Sequence, residues 1–162
     1  MTRRSETRYI VVHCSATKPS LDIGRREIRE WHIAKGWSDV GYMAVVRRNG
    51  LIEFGRHFDD IGAHVAGANS YSTGVCLVGG LTEAGAAPLE AFAFDTLFTE
   101  EQEHALVDLL QVLLAAYPDA LIVGHRDLSP DANHDGKIDK WEYLKSCPGF
   151  SVSEFCKRHG LQ

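Results

Sequence analysis

Apolar residues fall in short blocks separated by polar and glycine-rich stretches. Tyr9, Ile10, Val11 and Val12 form an unbroken run before His13; Leu121, Ile122 and Val123 form a second before Gly124 and His125; residues 74–78 form a third before the break at Gly79 and Gly80. Runs this short and continuous read as strands buried on both faces, the habit of parallel sheets. Residues 43–46 and 51–54 are two shorter strands around Arg47, Arg48, Asn49 and Gly50, and Asn-Gly is a strong hairpin signal. Helical spacing appears at 25–35, where Ile28, Trp31 and Ile33 or Ala34 make an apolar face and Gly36 suits the position just past the end. Thr99 with Gln102 three residues on forms a capping box for a long helix to Tyr117, closed by Pro118. A last short helix is expected over 152–159, and 15–22, 57–72 and 81–98 read as loops. Strands separated by helices, plus one hairpin, predict an α/β (α+β) fold. It is a single domain over 8–162 with a central mixed β-sheet flanked by helices, preceded by a basic, mobile arm at 1–7.

A chain of 162 residues can bury one sizeable core. With 17 Lys and Arg against 22 Asp and Glu, the formal charge is −5, so no global field draws the chain to nucleic acid, and any binding must come from a local site. No 18-residue apolar stretch occurs, and the charged start has no apolar segment behind it, so neither a membrane partner nor an export signal is expected. None of the four cysteines has CxxC spacing. They are expected free or metal-bound, with Cys14 and Cys76, among strand residues, as small core side chains.

Both His13 and His125 follow apolar runs, which puts them at the carboxyl ends of strands, where open α/β sheets hold their ligands. Cys147 stands in a loop before Pro148 and Gly149. Two histidines and a thiolate leave a tetrahedral zinc one open position, the mark of a catalytic rather than a structural ion. Position alone leaves zinc and ordinary packing as equal readings. Lys145 lies two residues before Cys147, on the same side of an extended segment, where its ammonium could stabilise an oxyanion; the alternative is a solvated surface lysine. Tyr42, at a strand start, either aims its phenol into the same cleft or packs as an amphipathic core residue. A second metal signal lies between two of these ligands. Asp131, Asn133, Asp135, Gly136, Ile138, Asp139 and Glu142 fall at the ligand and structural positions of an EF-hand loop, with Lys137 placed to offer its backbone carbonyl. Residues 127–130 do not look helical, so this would be a lone calcium loop; the alternative is a solvated acidic turn. His32, His104, His134 and His159 read as solvent-facing or packing residues, and His57 as a neighbour of the groove.

Six segments together carry a family resemblance. His13-Cys14-Ser15-Ala16-Thr17, Arg26-Glu27-Ile28 with Trp31-His32, Gly36-Trp37 through Asp39-Val40-Gly41-Tyr42, Gly74-Val75-Cys76-Leu77-Val78-Gly79-Gly80, Gly124-His125-Arg126-Asp127 and Lys145-Ser146-Cys147-Pro148-Gly149-Phe150 resemble the type 2 N-acetylmuramoyl-L-alanine amidases. That family includes the peptidoglycan recognition proteins, and the pattern is most like the amidases of the T-odd podophages. The resemblance implies a zinc amidase that hydrolyses the amide between N-acetylmuramic acid and L-alanine of peptidoglycan. It maps the metal ligands onto His13, His125 and Cys147, the catalytic tyrosine onto Tyr42 and the catalytic lysine onto Lys145. His64 matches a histidine lining the substrate groove, and Asn69 a structural loop asparagine. Met43 departs from the phage pattern, which has histidine after the tyrosine, and the acidic loop at 131–142 looks like an insertion. The implied role is a monomeric phage or prophage endolysin, made in the host cytoplasm and acting on the wall after release. The alternatives are a cytosolic amidase recycling anhydro-muropeptides, a non-catalytic peptidoglycan-binding protein, which Cys147 argues against, or a regulator of a phage RNA polymerase, for which the 1–7 arm is the candidate surface.

Overall fold

The computed structural model describes residues 1–87 and 94–161. Its strands are β1 (Tyr9–Cys14), β2 (Ala44–Val46), β3 (Ile52–Phe54), β4 (Ser72–Leu77) and β5 (Leu121–Gly124), and its helices α1 (Arg25–Ala34), α2 (Phe94–Leu97), α3 (Glu100–Ala116) and α4 (Val152–His159). The sheet runs β3-β2-β4-β1-β5. Strands β2, β4, β1 and β5 are parallel, and only the hairpin strand β3 runs antiparallel at one edge. This is the expected single mixed sheet flanked by helices.

Strand alternation sorts the core into two layers. Ile10 and Val12 of β1 face one way and pack with Val75 and Leu77 of β4, Leu106, Leu110 and Leu113 of α3, and Phe155 of α4. Val11 faces the other way, against Val65 and Ala68, and Cys76 and Val78 join Ile28 of α1 beside it. Each such aliphatic side chain contributes about 1.5–3 kcal/mol when fully buried, which fixes the register of β1 and so the face on which His13 emerges. The Thr99 and Gln102 capping box forms, with the Gln102 amide N–H donating to the Thr99 hydroxyl at 3.1 Å. Gln102 is itself buried and donates to the carbonyls of Val78 at 2.8 Å and Val46 at 3.2 Å, tying the start of α3 to the ends of two strands.

Four sequence expectations change. On α1 the buried stripe is Ile28 and His32, while Trp31 and Ile33 are 42% and 41% exposed. The i, i+4 pair lies on the sheet, and His32 is accepted there because its Nδ1 takes the Gly41 N–H at 2.9 Å. The 1–7 arm is docked rather than loose: the Ile61 N–H donates to the Thr2 carbonyl at 2.9 Å, and the Arg4 guanidinium donates to the Phe58 carbonyl at 2.8 Å. Within the expected loop at 81–98, α2 forms one helical turn, and 88–93 lie outside the described residues. Cys76 is a buried core thiol, but Cys14 is only half-buried, packed against the margin of the core. Among the described residues no helix is long and apolar enough to cross a membrane.

Candidate active site

The register of the parallel strands builds the site. Val12 of β1 pairs with Gly124 of β5, so the next residues, His13 and His125, emerge side by side at the carboxyl edge, their ring centroids 4.7 Å apart. The Arg126 N–H donates to the Cys147 carbonyl at 2.9 Å, which brings the loop after β5 back against that edge. His13, His125 and Cys147 thus converge, each offering a ligand atom within 4.8 Å of the others, with Cys147 Sγ 3.9 Å from His13 Nδ1. A tetrahedral zinc with its usual bond lengths wants such atoms about 3.5 Å apart, so the donor set fits the ion after a small contraction.

A chain of hydrogen bonds decides which nitrogen of His13 faces the site. The Ser72 hydroxyl donates to the Ala68 carbonyl at 2.7 Å, leaving its oxygen to accept from His64 Nε2 at 3.3 Å. Neutral His64 then carries its lone pair on Nδ1 and accepts from His13 Nε2–H at 2.9 Å. His13 is left with its lone pair on Nδ1, the atom facing Cys147. Burial pushes His64 down to about 3, so it stays neutral and keeps this order. Gly74 makes room for the arrangement, since a Cβ there would lie 2.7 Å from the His64 ring. Both His64 nitrogens are therefore engaged, and what the residue offers the cleft is the edge of its ring. Replacing His64 with alanine is expected to weaken zinc binding about 10- to 100-fold. His64→Gln, which can still accept from His13 and donate to Ser72, should recover part of the loss. Competition with a chromogenic chelator measures both, and equal affinity in all three proteins would contradict the relay.

The remaining electrostatics suit a cation. Burial first, then His64, His125 and Lys145, hold His13 well below the usual imidazole range. Burial and then Lys145 push His125 down to about 4. Both rings therefore present lone pairs at neutral pH. The Cys147 thiol is pushed up by its hydrogen bond with Cys14 and then by burial, a bias that a divalent cation reverses. The Cys14 N–H, 3.2 Å from Sγ, is already aimed at the resulting thiolate.

Tyr42 packs its ring 5.1 Å from His13 and 5.5 Å from His32. Burial first, then Cys76, Cys147 and Cys14, raise its phenol well above the ordinary value, so it keeps its proton. Lys145 and His125 line a cleft of about 420 Å³ together with Trp37, His64 and Asn69. Asn69 Oδ1 accepts from the backbone N–H groups of His64 at 2.9 Å and Val65 at 3.0 Å, which fixes that part of the lining. Met43 is buried in the helical core, away from the cleft. His57 is not among the cleft residues. The acidic loop stands apart from the cleft, curled on its own amides: Asp131 Oδ2 accepts from Gly136 N–H at 2.8 Å, and Glu142 accepts from Ala132 N–H and Asp139 N–H, each at 2.7 Å. Sequence reasoning missed Ser72, which ends the His64 relay, and Trp37 and Arg126 as cleft residues. Ser72 carries no local signal, because its role depends on a ring brought from eight residues away.

Comparison with known proteins agrees with this geometry. The profile of a family described as N-acetylmuramoyl-L-alanine amidase matches residues 3–150. An endolysin of Klebsiella phage KP32 is 41% identical over 160 residues, covering 99% of this chain and 92% of the phage protein. An endolysin of Escherichia phage T7 is 40% identical over 159 residues, covering 98% and 91%. Among solved structures, the N-acetylmuramoyl-L-alanine amidase LysC from Clostridium intestinale URNW superposes with a TM-score of 0.69 over 100% of this chain and 95% of that one. At 20% identity, that likeness speaks to the fold.

Proposed function

This chain belongs to the N-acetylmuramoyl-L-alanine amidase family, and from that premise we propose that it is a zinc-dependent endolysin. It cleaves the amide between N-acetylmuramic acid and the L-alanine that begins the stem peptide. The observation that carries the zinc reading is the convergence of His13, His125 and Cys147, of which His125 lines the cleft. When bound there, zinc supplies a polarised carbonyl and a water acidified towards pH 7. Lys145 holds the oxygen of the attacked carbonyl as charge develops on it, and Tyr42 orients or donates a proton towards the departing amine. His64 acts behind His13 rather than on substrate.

Mass spectrometry of the products from purified sacculi tests the reading. Free stem peptides beginning with L-alanine, alongside glycan strands that keep intact lactyl groups, are the expected products. Products only from soluble anhydro-muropeptides would favour a recycling amidase, and retention on sacculi without products would favour a binding protein.

We further propose that the 131–142 loop takes calcium through Asp131, Asn133, Asp135, Asp139, Glu142 and the Lys137 carbonyl. The way Asp131 and Glu142 fold their carboxylates back over the loop's own amides supports this, as does the positive φ of 84° at Gly136, where the EF-hand turn needs glycine. The loop joins the strand end bearing His125 to the segment bearing Cys147, so ordering it steadies the zinc site. At a hundredfold excess of calcium over Kd the folded state gains roughly 2.7 kcal/mol. Calcium should therefore raise the melting temperature of zinc-loaded protein, and Asp131→Ala with Glu142→Gln should abolish the rise. An unchanged melting temperature at millimolar calcium would leave the loop a plain acidic turn.

A further inference from the structure

Arg126 follows the metal ligand His125 and lines the same cleft, yet it is only 4% exposed. Its Nη1 is buried with no hydrogen-bond partner, and its Cζ lies 5.0 Å from the centre of the Tyr143 ring. The neighbouring Asp127 feels the charge of Arg126 but makes no hydrogen bond or ion pair with it; its Oδ2 accepts from the Gly124 N–H at 2.7 Å. Among the described residues no Asp or Glu lines the cleft, although acidic residues outnumber basic ones in the chain as a whole.

A buried guanidinium without an acceptor is costly, and the usual remedy is a carboxylate, which matches its flat fork of donors with two parallel hydrogen bonds. With no carboxylate hydrogen-bonded to it among the described residues, we propose that Arg126 binds a carboxylate of the substrate. That carboxylate is the free α-carboxylate of the residue after L-alanine, which the stem peptide carries when its second residue is γ-linked D-glutamate and loses when that residue is amidated. Position selects this group. Arg126 lines the same cleft as the metal ligand His125, so a substrate whose scissile amide lies at the metal ligands carries its next residue, about 3.5 Å further along an extended chain, into the part of the cleft that holds Arg126. The Tyr143 ring beneath the guanidinium holds it flat and shields the pair from water, which strengthens the contact. Arg126 is thus a specificity-determining residue that favours unamidated stems. The inference rests on the amidase reading given above.

Two soluble compounds that differ in one group provide the test: N-acetylmuramoyl-L-alanyl-D-glutamate with its γ-carboxyl blocked as the methylamide, which keeps the α-carboxylate, and the same compound with that carboxylate amidated. The zinc-loaded wild-type chain should bind the carboxylate compound roughly 10- to 100-fold more tightly, by calorimetry, and show the same preference in kcat/KM, carried by KM. Arg126→Gln should bring both ratios close to one by weakening only the carboxylate compound, and Arg126→Lys should keep part of the preference. A wild-type ratio near one overturns the proposal, and because that measurement needs no variant, a misfolded Arg126→Gln cannot shelter it. An Arg126→Gln protein that folds and loses both compounds equally also overturns it. If neither compound is cleaved but the binding ratio holds, the amidase reading fails while the carboxylate site stands.

Discussion

Cys147→Ser is expected to lose its zinc at nanomolar free metal and to lose lysis of sacculi down to the uncatalysed background, while its melting transition persists in the absence of metal. The reasoning follows from the site. Serine places a neutral hydroxyl, a poor zinc ligand at neutral pH, where a thiolate was needed. The two imidazoles that remain, His13 and His125, are then a bidentate site without charge neutralisation. The fold itself is carried by the two layers of aliphatic side chains on the sheet rather than by the ion. Metal analysis by plasma mass spectrometry, together with turbidity of a sacculus suspension, reads both quantities. Full activity in Cys147→Ser, or in wild-type protein after thorough chelation, would remove zinc from the mechanism.

Much of this arrangement is legible in the sequence, because the features concerned are local. The runs before His13 and His125 read as parallel strands, and their pairing in the sheet puts the two histidines together without further information. The Thr99 capping box and the 152–159 helix are equally local and appear where the pattern places them. What the sequence conceals depends on partners distant in the chain. Trp31 looks like a core residue, and the pattern leaves His32 either solvent-facing or packing; the Gly41 N–H draws His32 inward while Trp31 stays 42% exposed. The 1–7 arm looks like a solvated basic tail until the Phe58 and Asp60 carbonyls receive Arg4. Cys14 reads as a strand residue, and only the return of the 147 loop makes it a neighbour of a metal ligand. The relay through His64 and Ser72 is invisible for the same reason: neither residue's role is set until β1, β4 and the loop between β3 and β4 are assembled.

Lys145→Ala and Tyr42→Phe are expected to separate chemistry from metal binding. Neither side chain belongs to the converging ligand set, so one zinc per chain should remain in both variants. Lys145 shares the cleft with His125 and is near enough to depress both His13 and His125, so its ammonium sits where negative charge on an attacked carbonyl oxygen would be stabilised. Removing one such donor lowers kcat roughly 10²- to 10³-fold. Tyr42 is held protonated by burial, with its ring against His13, so at neutral pH it is a donor rather than a base. Losing a positioned proton donor lowers kcat by about 10²-fold or more. For both variants the loss should appear in kcat with KM little changed, because the contacts are made to charge that exists only in the transition state. Lys145 acts on the carbonyl oxygen and Tyr42 on the departing amine, so any departure from additivity in the double variant measures how far the two groups act in one step. Wild-type turnover in either variant would reduce that residue to a bystander. Loss of zinc from Tyr42→Phe would instead mean that the hydroxyl supports the metal site itself, because phenylalanine keeps the ring against His13.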